Sequence, residues 1–140
     1  MMATTATILQ ALKTRIEGIT PSEMVTSDHK FKVFIGFPRT EMRERHYVLT
    51  ANAGAPSVQT VRCKEWLTSI LLAGHYPRGE TGLLRAITDA EQISASLFNY
   101  SSDNPDGVYE ISQDQAQVIE QDDYVAVERN LTVRYRGQEI

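Results

Sequence analysis

Residues 124–135 read Tyr-Val-Ala-Val-Glu-Arg-Asn-Leu-Thr-Val-Arg-Tyr, and the alternation in this segment constrains the fold more than any other feature of the chain. Val125, Val127, Leu131, Val133 and Tyr135 share one parity, while Glu128, Asn130, Thr132 and Arg134 share the other. Side chains of a strand alternate between its faces, so one face of this segment is predicted to be buried and the other wet. Such a strand belongs in a sheet covered on one side, as antiparallel sheets commonly are. Arg129 interrupts the pattern from the apolar parity, which calls for a bulge that re-aims it or an acidic partner that neutralises it.

Something must cover that sheet. Leu9, Leu12, Ile16 and Ile19 recur at helical spacing, with Thr7 and Gln10 placed as a capping box and with Gly18 and Pro21 at the end. A second helix is predicted over at least 89–98, starting as early as Leu83, with Ile87, Ala90, Ile93 or Ser94, and Leu97 as its apolar stripe. Thr88 and Glu91 offer that helix a capping-box start.

Residues 31–37 read as a strand with Phe31, Val33, Ile35 and Phe37 on one face. Residues 58–72 fit a helical pattern through Trp66, Leu67, Ile70 and Leu71, but their β-branched and aromatic content favours a strand with Val61, Cys63, Leu67 and Leu71 on one side. Short strands are expected near 108–111 and 116–119. The segment 38–56 reads as a long mobile loop with a short strand possible at 46–49, residues 75–82 as a turn-rich connection, and 99–107 as a loop rich in Asn, Ser, Asp, Pro and Gly. The expected architecture is α+β: a mainly antiparallel sheet with two helices packed on one face, in the order α-β-β-α-β-β.

At 140 residues this is one domain, long enough to hide about 70% of its unfolded surface without metal or disulfide staples. Its 41% hydrophobic and 23% charged residues, with net charge -4, lie far from the composition of disordered chains. No apolar run approaches a membrane span, and 1–8 lacks the basic flank of a secretory signal, so a soluble cytoplasmic product is expected. The single Cys63 fits a reducing compartment.

Motifs that carry chemistry are scarce. The three histidines, His29, His46 and His75, lie in separate segments without the close spacing of metal ligands. Gly79-Glu80-Thr81-Gly82 lacks the Lys and hydroxyl of a phosphate loop and reads as a turn into a helix. Cys63 has Arg62 and Lys64 as neighbours, yet strand alternation turns those cations away from the thiol. Asp122 and Asp123 precede a strand in a polar stretch and read as a hydrated turn.

Charge placement says more. No Lys or Arg occurs between Ala86 and Glu128, where Asp89, Glu91, Asp103, Asp106, Glu110, Asp114, Glu120, Asp122 and Asp123 fall. The flanks are basic: Lys30, Lys32, Arg39, Arg43, Arg45, Arg62, Lys64 and Arg78 precede the acidic stretch, and Arg129, Arg134 and Arg136 follow it. This segregation suits an acidic face meeting a basic face of another copy or a partner, or else charges that mix once the chain folds. Arg39, Arg43, Arg45, Asp122, Asp123, Arg129, Arg134 and Arg136 are the candidate interface residues.

The whole pattern resembles the tail terminator and tail-completion proteins of long-tailed bacteriophages. The resemblance spans Ile8 to about Arg136: an opening helix, the strand at 31–37, a long loop, a strand leading into Ala73-Gly74-His75-Tyr76-Pro77, the helix at 87–98, an Asp-rich loop and the closing strand. It lies in architecture, and no functional residue transfers position by position. It implies a non-enzymatic protein without cofactor, forming a ring, typically a hexamer, at the neck of the virion. Its partners would be its own copies, the tail tube protein and a head-completion or neck protein, with genome DNA passing through the ring unread in sequence. Head-closure proteins share this size class. A different class, a small ligand-binding or enzymatic domain, would centre on the turn at 79–82 and His75.

Overall fold

The computed structural model describes residues 3–21, 31–36, 45–56, 65–98 and 107–137. In chain order its elements are α1 (Thr5–Glu17), β1 (Val33–Ile35), β2 (His46–Ala51), β3 (Ala55–Pro56), β4 (Glu65–Pro77), α2 (Glu80–Phe98), β5 (Val108–Gln113), β6 (Gln117–Glu120) and β7 (Tyr124–Arg136). The alternating C-terminal segment is β7, paired antiparallel with β4 over all 13 residues of each. β2 lies antiparallel on the other side of β4, and β1 closes that edge parallel to β2. β3 pairs with the start of β4, while β5 and β6 share the far side of β7. The fold is α+β and mostly sheet, but the sheet is mixed and carries more strands than the expected order α-β-β-α-β-β.

One face of the sheet is the core. Val125, Val127, Leu131, Val133 and Tyr135 of β7 are buried there beside Ile70, Leu72 and Tyr76 of β4 and Tyr47 and Leu49 of β2. Both helices cover this face: Ile8, Leu12 and Ile16 of α1 and Ala86, Ile93 and Leu97 of α2 belong to the same cluster. α1 packs on β1 and β2, and α2 lies across β4, β7 and β5.

Several sequence-based expectations are corrected. The short strand allowed at 46–49 is present as β2, but it runs on to Ala51 in the sheet interior, with Tyr47, Val48 and Leu49 buried, where a mobile loop was expected around it; a strand covered on both faces reads as a continuous apolar run, and the polar residues around this one disguised its place. Of the expected loop, 38–44 lies outside the described residues, as does Phe37 at the end of the expected strand 31–37. β4 continues through 75–77, where a turn was expected, because its pairing with β7 runs on to Pro77↔Tyr124. Its inward parity is Thr68, Ile70 and Leu72 rather than Leu67 and Leu71, since pairing with Leu131 and Val133 sets the register of a strand that is apolar on both sides. Residues 57–64, Cys63 among them, and 99–106 lie outside the described residues.

Both helices start earlier than expected. Thr4 caps α1: its hydroxyl accepts from Thr7 N–H at 3.2 Å, and Thr7 Oγ1 accepts from Thr4 N–H at 3.0 Å. α2 begins at Glu80, and its inward stripe is Ala86, Asp89, Ile93 and Leu97, which leaves Ile87 exposed. Gly74 completes the core, because a Cβ there would come within 2.6 Å of the Tyr47 ring. Only glycine lets Tyr47 lie across β4 towards α2.

Candidate functional site

The helix stripe carries a carboxylate into the core. Asp89 is 0% exposed, and its Oδ2 receives Arg45 Nη1 at 3.1 Å and the Tyr76 hydroxyl at 2.8 Å. Tyr76 Oη lies 2.6 Å from Tyr47 Oη. A phenol has one proton, and since Tyr76 gives its own to Asp89, Tyr47 donates to the Tyr76 oxygen. The chain therefore runs Tyr47 to Tyr76 to Asp89, with the Arg45 guanidinium closing it from the other side. Arg45 also sits 5.4 Å from the centre of the Phe31 ring, whose edge meets Tyr47 at 5.6 Å. Burial pushes both phenols well above their usual range, and the neighbouring Asp89 charge adds to the shift. Protonated phenols, a paired carboxylate and a paired guanidinium make this a clasp that fixes α2 to β2 and β4.

That placement removes Arg45 from the candidate interface: at 5% exposure, its charge is spent inside the chain. Arg129 also turns inward, without a bulge and, among the described residues, without a salt bridge; burial works against its charge while Glu91 acts in favour of it. No bulge re-aims it, since Leu72↔Arg129 is in register, and its guanidinium donates to the neutral Gln113 Oε1 at 2.7 Å. Gln113 in turn donates to the Ser94 carbonyl at 3.1 Å, linking β7 through β5 to α2. Arg129 borders a cavity of about 10 Å³ together with Tyr47, Leu72, Ala90, Ile93, Ala116 and Val127, room for about one water.

The remaining candidates lie outside. Arg134 bridges Glu65 and Glu110, each at 3.0 Å, across three strands. Arg78 donates to the Asp122 carbonyl at 3.0 Å and lies 3.8 Å from Glu120. Asp122 and Asp123 are exposed in the turn between β6 and β7. Arg136 is half-buried, and its backbone accepts from Ala3 N–H and donates to the Gly107 carbonyl. Arg39 and Arg43 lie outside the described residues. The acidic stretch and its basic flanks thus pair with each other in Arg45–Asp89, Arg78–Glu120 and Arg134–Glu110. Among the described residues, part of the charge that segregates in sequence mixes in space.

On the face opposite the helices, a row of rings crosses four strands. His46 and His75 are directly opposed and stack at 4.9 Å with 12° between their planes; Phe34 flanks His46, and Tyr124 flanks His75. Burial and the facing His46 lower the proton affinity of His75. A metal must lie in the plane of each imidazole that binds it, and nearly parallel stacked rings do not aim their nitrogens at one point. His75 also faces away from the helix layer that the 79–82 turn enters, so the two do not form one site. Among the described residues no group of three potential metal ligands occurs.

Sequence reading missed Asp89, Tyr47 and Tyr76. The available signal was the spacing of Ala86, Asp89, Ile93 and Leu97, a helical stripe with an acid where an apolar residue belongs. No protein-family model and no curated protein matches this chain.

Proposed function

We propose that the protein is a non-enzymatic assembly protein of the tail terminator type, forming a ring that caps the tail tube of a long-tailed phage and joins it to the head. The observation that carries this reading is where the exposed apolar side chains fall. Leu83, Leu84 and Ile87, at 37%, 54% and 39% exposure, stand on the outer side of the first turns of α2. On the sheet, Ile35 is exposed on β1 at one end of the strand order, and Val118 and Tyr124 are exposed on the paired strands β6 and β7 towards the other. Grouped exposed apolar residues mark interaction surfaces, and a head-to-tail ring needs two unlike, complementary surfaces on every subunit. The clasp around Asp89 ties α2 to the sheet between those surfaces.

The proposed mechanism is steric. A tail tube grows because each ring exposes the surface that the next ring occupies. A ring with one face complementary to the tube and a different opposite face stops growth and offers a new surface to the head. The α2 stripe is the candidate contact with tube or neck, and Asp122 and Asp123 are candidate contacts between subunits. Omitting the protein is expected to leave unjoined heads and tails of uncontrolled length in electron micrographs, and adding it back to purified tails should restore joining. Heads that join tails of normal length without it would refute the proposal. Leaking heads with normal tails would assign the protein to head closure instead.

A further inference from the structure

Within the described residues, the sheet ends in β1 and the two-residue β3 on one side and in β5 and β6 on the other. Each end presents backbone N–H and C=O groups along its outer edge, which proteins usually blunt. β5 is blunted by a bulge between Val108 and Glu110, whereas β6 pairs with β7 in unbroken register from Gln117 to Glu120. β1 has three residues and β6 has four, so the two open edges match in length.

Three further observations fit them to each other. The first is polarity: β1 is parallel to β2, and β2–β4, β4–β7 and β7–β6 are each antiparallel, so β1 runs antiparallel to β6. Copies related by rotation about an axis along the strands would therefore bring β1 of one beside β6 of the next in the antiparallel sense, the more stable pairing. The second is the face. Ile35 pairs with Leu49 and Val118 with Val127, so both point to the helix-bearing side, yet they remain 39% and 41% exposed. Each edge thus ends the core with one uncovered apolar side chain.

The third is charge. Asp114, Asp122 and Asp123 flank β6 and Glu120 ends it, outnumbering the Arg78 that lies on Glu120, while Lys32 adjoins β1 and Lys13 lies on α1, the helix packed against β1. β6 meeting its own copy would set acid against acid. β6 meeting β1 sets acid against base.

We propose that β6 of one copy pairs antiparallel with β1 of the next, with Val118 seated beside Ile35, so that the sheet continues from subunit to subunit. The partner is a second copy of this chain. The contact is heterologous, hence it closes into a ring when the rotation divides a full turn. This inference rests on the ring reading above and supplies its interface.

The test is site-directed cross-linking in the full chain carrying Cys63→Ser, with folding checked by circular dichroism. Ile35→Cys and Val118→Cys are made separately and together; both positions are exposed enough to accept the change. A short bis-maleimide is added to each variant and to an equal mixture of the two single variants. The expected result is a shift from monomer to dimer mass on a denaturing gel in the mixture alone, and in the double variant a ladder ending at the native ring mass. Cross-linking of Val118→Cys with itself would overturn the proposal in favour of a two-fold contact. A ring by native mass spectrometry without the mixed cross-link would overturn the edge pairing and leave the ring reading standing. A chain that stays monomeric, alone and with tail tubes, would overturn both.

Discussion

Asp89 concentrates the polar energetics of the core in one side chain. It is buried with Arg45 and both tyrosines, and a buried ion pair has a strong asymmetry: removing one partner strands the other charge, while removing both need cost little. Asp89→Ala is accordingly expected to lower unfolding free energy by about 3–5 kcal/mol, read from urea titration. Pairing it with Arg45→Met should recover much of that loss. If the double variant is no more stable than the single one, the Arg45 charge is not what the carboxylate neutralises. Arg134, lying half exposed between Glu65 and Glu110, is the contrast, since water and salt screen exposed ion pairs to about 0–1 kcal/mol.

Between elements, the joint of β2 with β4 is made twice. On the core face Gly74 leaves space for Tyr47, and on the opposite face His46 stacks on His75. The second contact responds to acid. His75 has a proton affinity below the ordinary imidazole value of 6.5, owing first to burial and then to His46, so the unfolded chain binds its proton more readily than the folded one does. Its contribution to stability is therefore complete above about pH 6.5 and is lost as pH falls through the lower value of the folded state. Among the described residues, the titratable side chains in ring contact with it are His46 on β2 and Tyr124 on β7; Phe34 lies against His46 as an apolar ring. Thermal melts of the wild type should show stability falling on the acid side of this range, with a shallower slope in His75→Phe. Equal slopes in the two proteins would show that the stack does not titrate in the fold.

For the whole molecule, the ion pairs within the chain change what a charge experiment means. Arg134 lies between Glu65 of β4 and Glu110 of β5, so reversing it sets three acids together and perturbs the subunit as well as any contact it makes. Asp122 and Asp123 are cleaner probes: they are exposed, and no salt bridge engages their carboxylates among the described residues. Reversal of both to Lys is expected to leave subunit melting unchanged and to weaken self-association. Salt should weaken it as well, because the Debye length falls from about 10 Å at 0.1 M to about 3 Å at 1 M. Native mass spectrometry at low salt and sedimentation across the series would follow both effects. Association that ignores both changes would place the contact on apolar surface alone.

Local pattern was enough to determine β7, the two helices and the α+β class. The parity of Val125, Val127, Leu131, Val133 and Tyr135 survived folding unchanged, because a half-buried strand writes its orientation into its own residues. β2 and β4 carried no such mark: apolar on both sides, they admit either parity, and only register against β7 chose between them. The clasp was less legible still. Tyr47, Tyr76 and Asp89 come from three elements and Arg45 from just before the first of them, and nothing in their spacing announces a shared site until β2, β4 and α2 pack. His46 and His75 met for the same reason, as cross-strand neighbours 29 positions apart. Periodicity is a property of one segment and can be read from it. Which charges pair, and which face inward, depends on segments distant in the chain, and only the tertiary structure decides that.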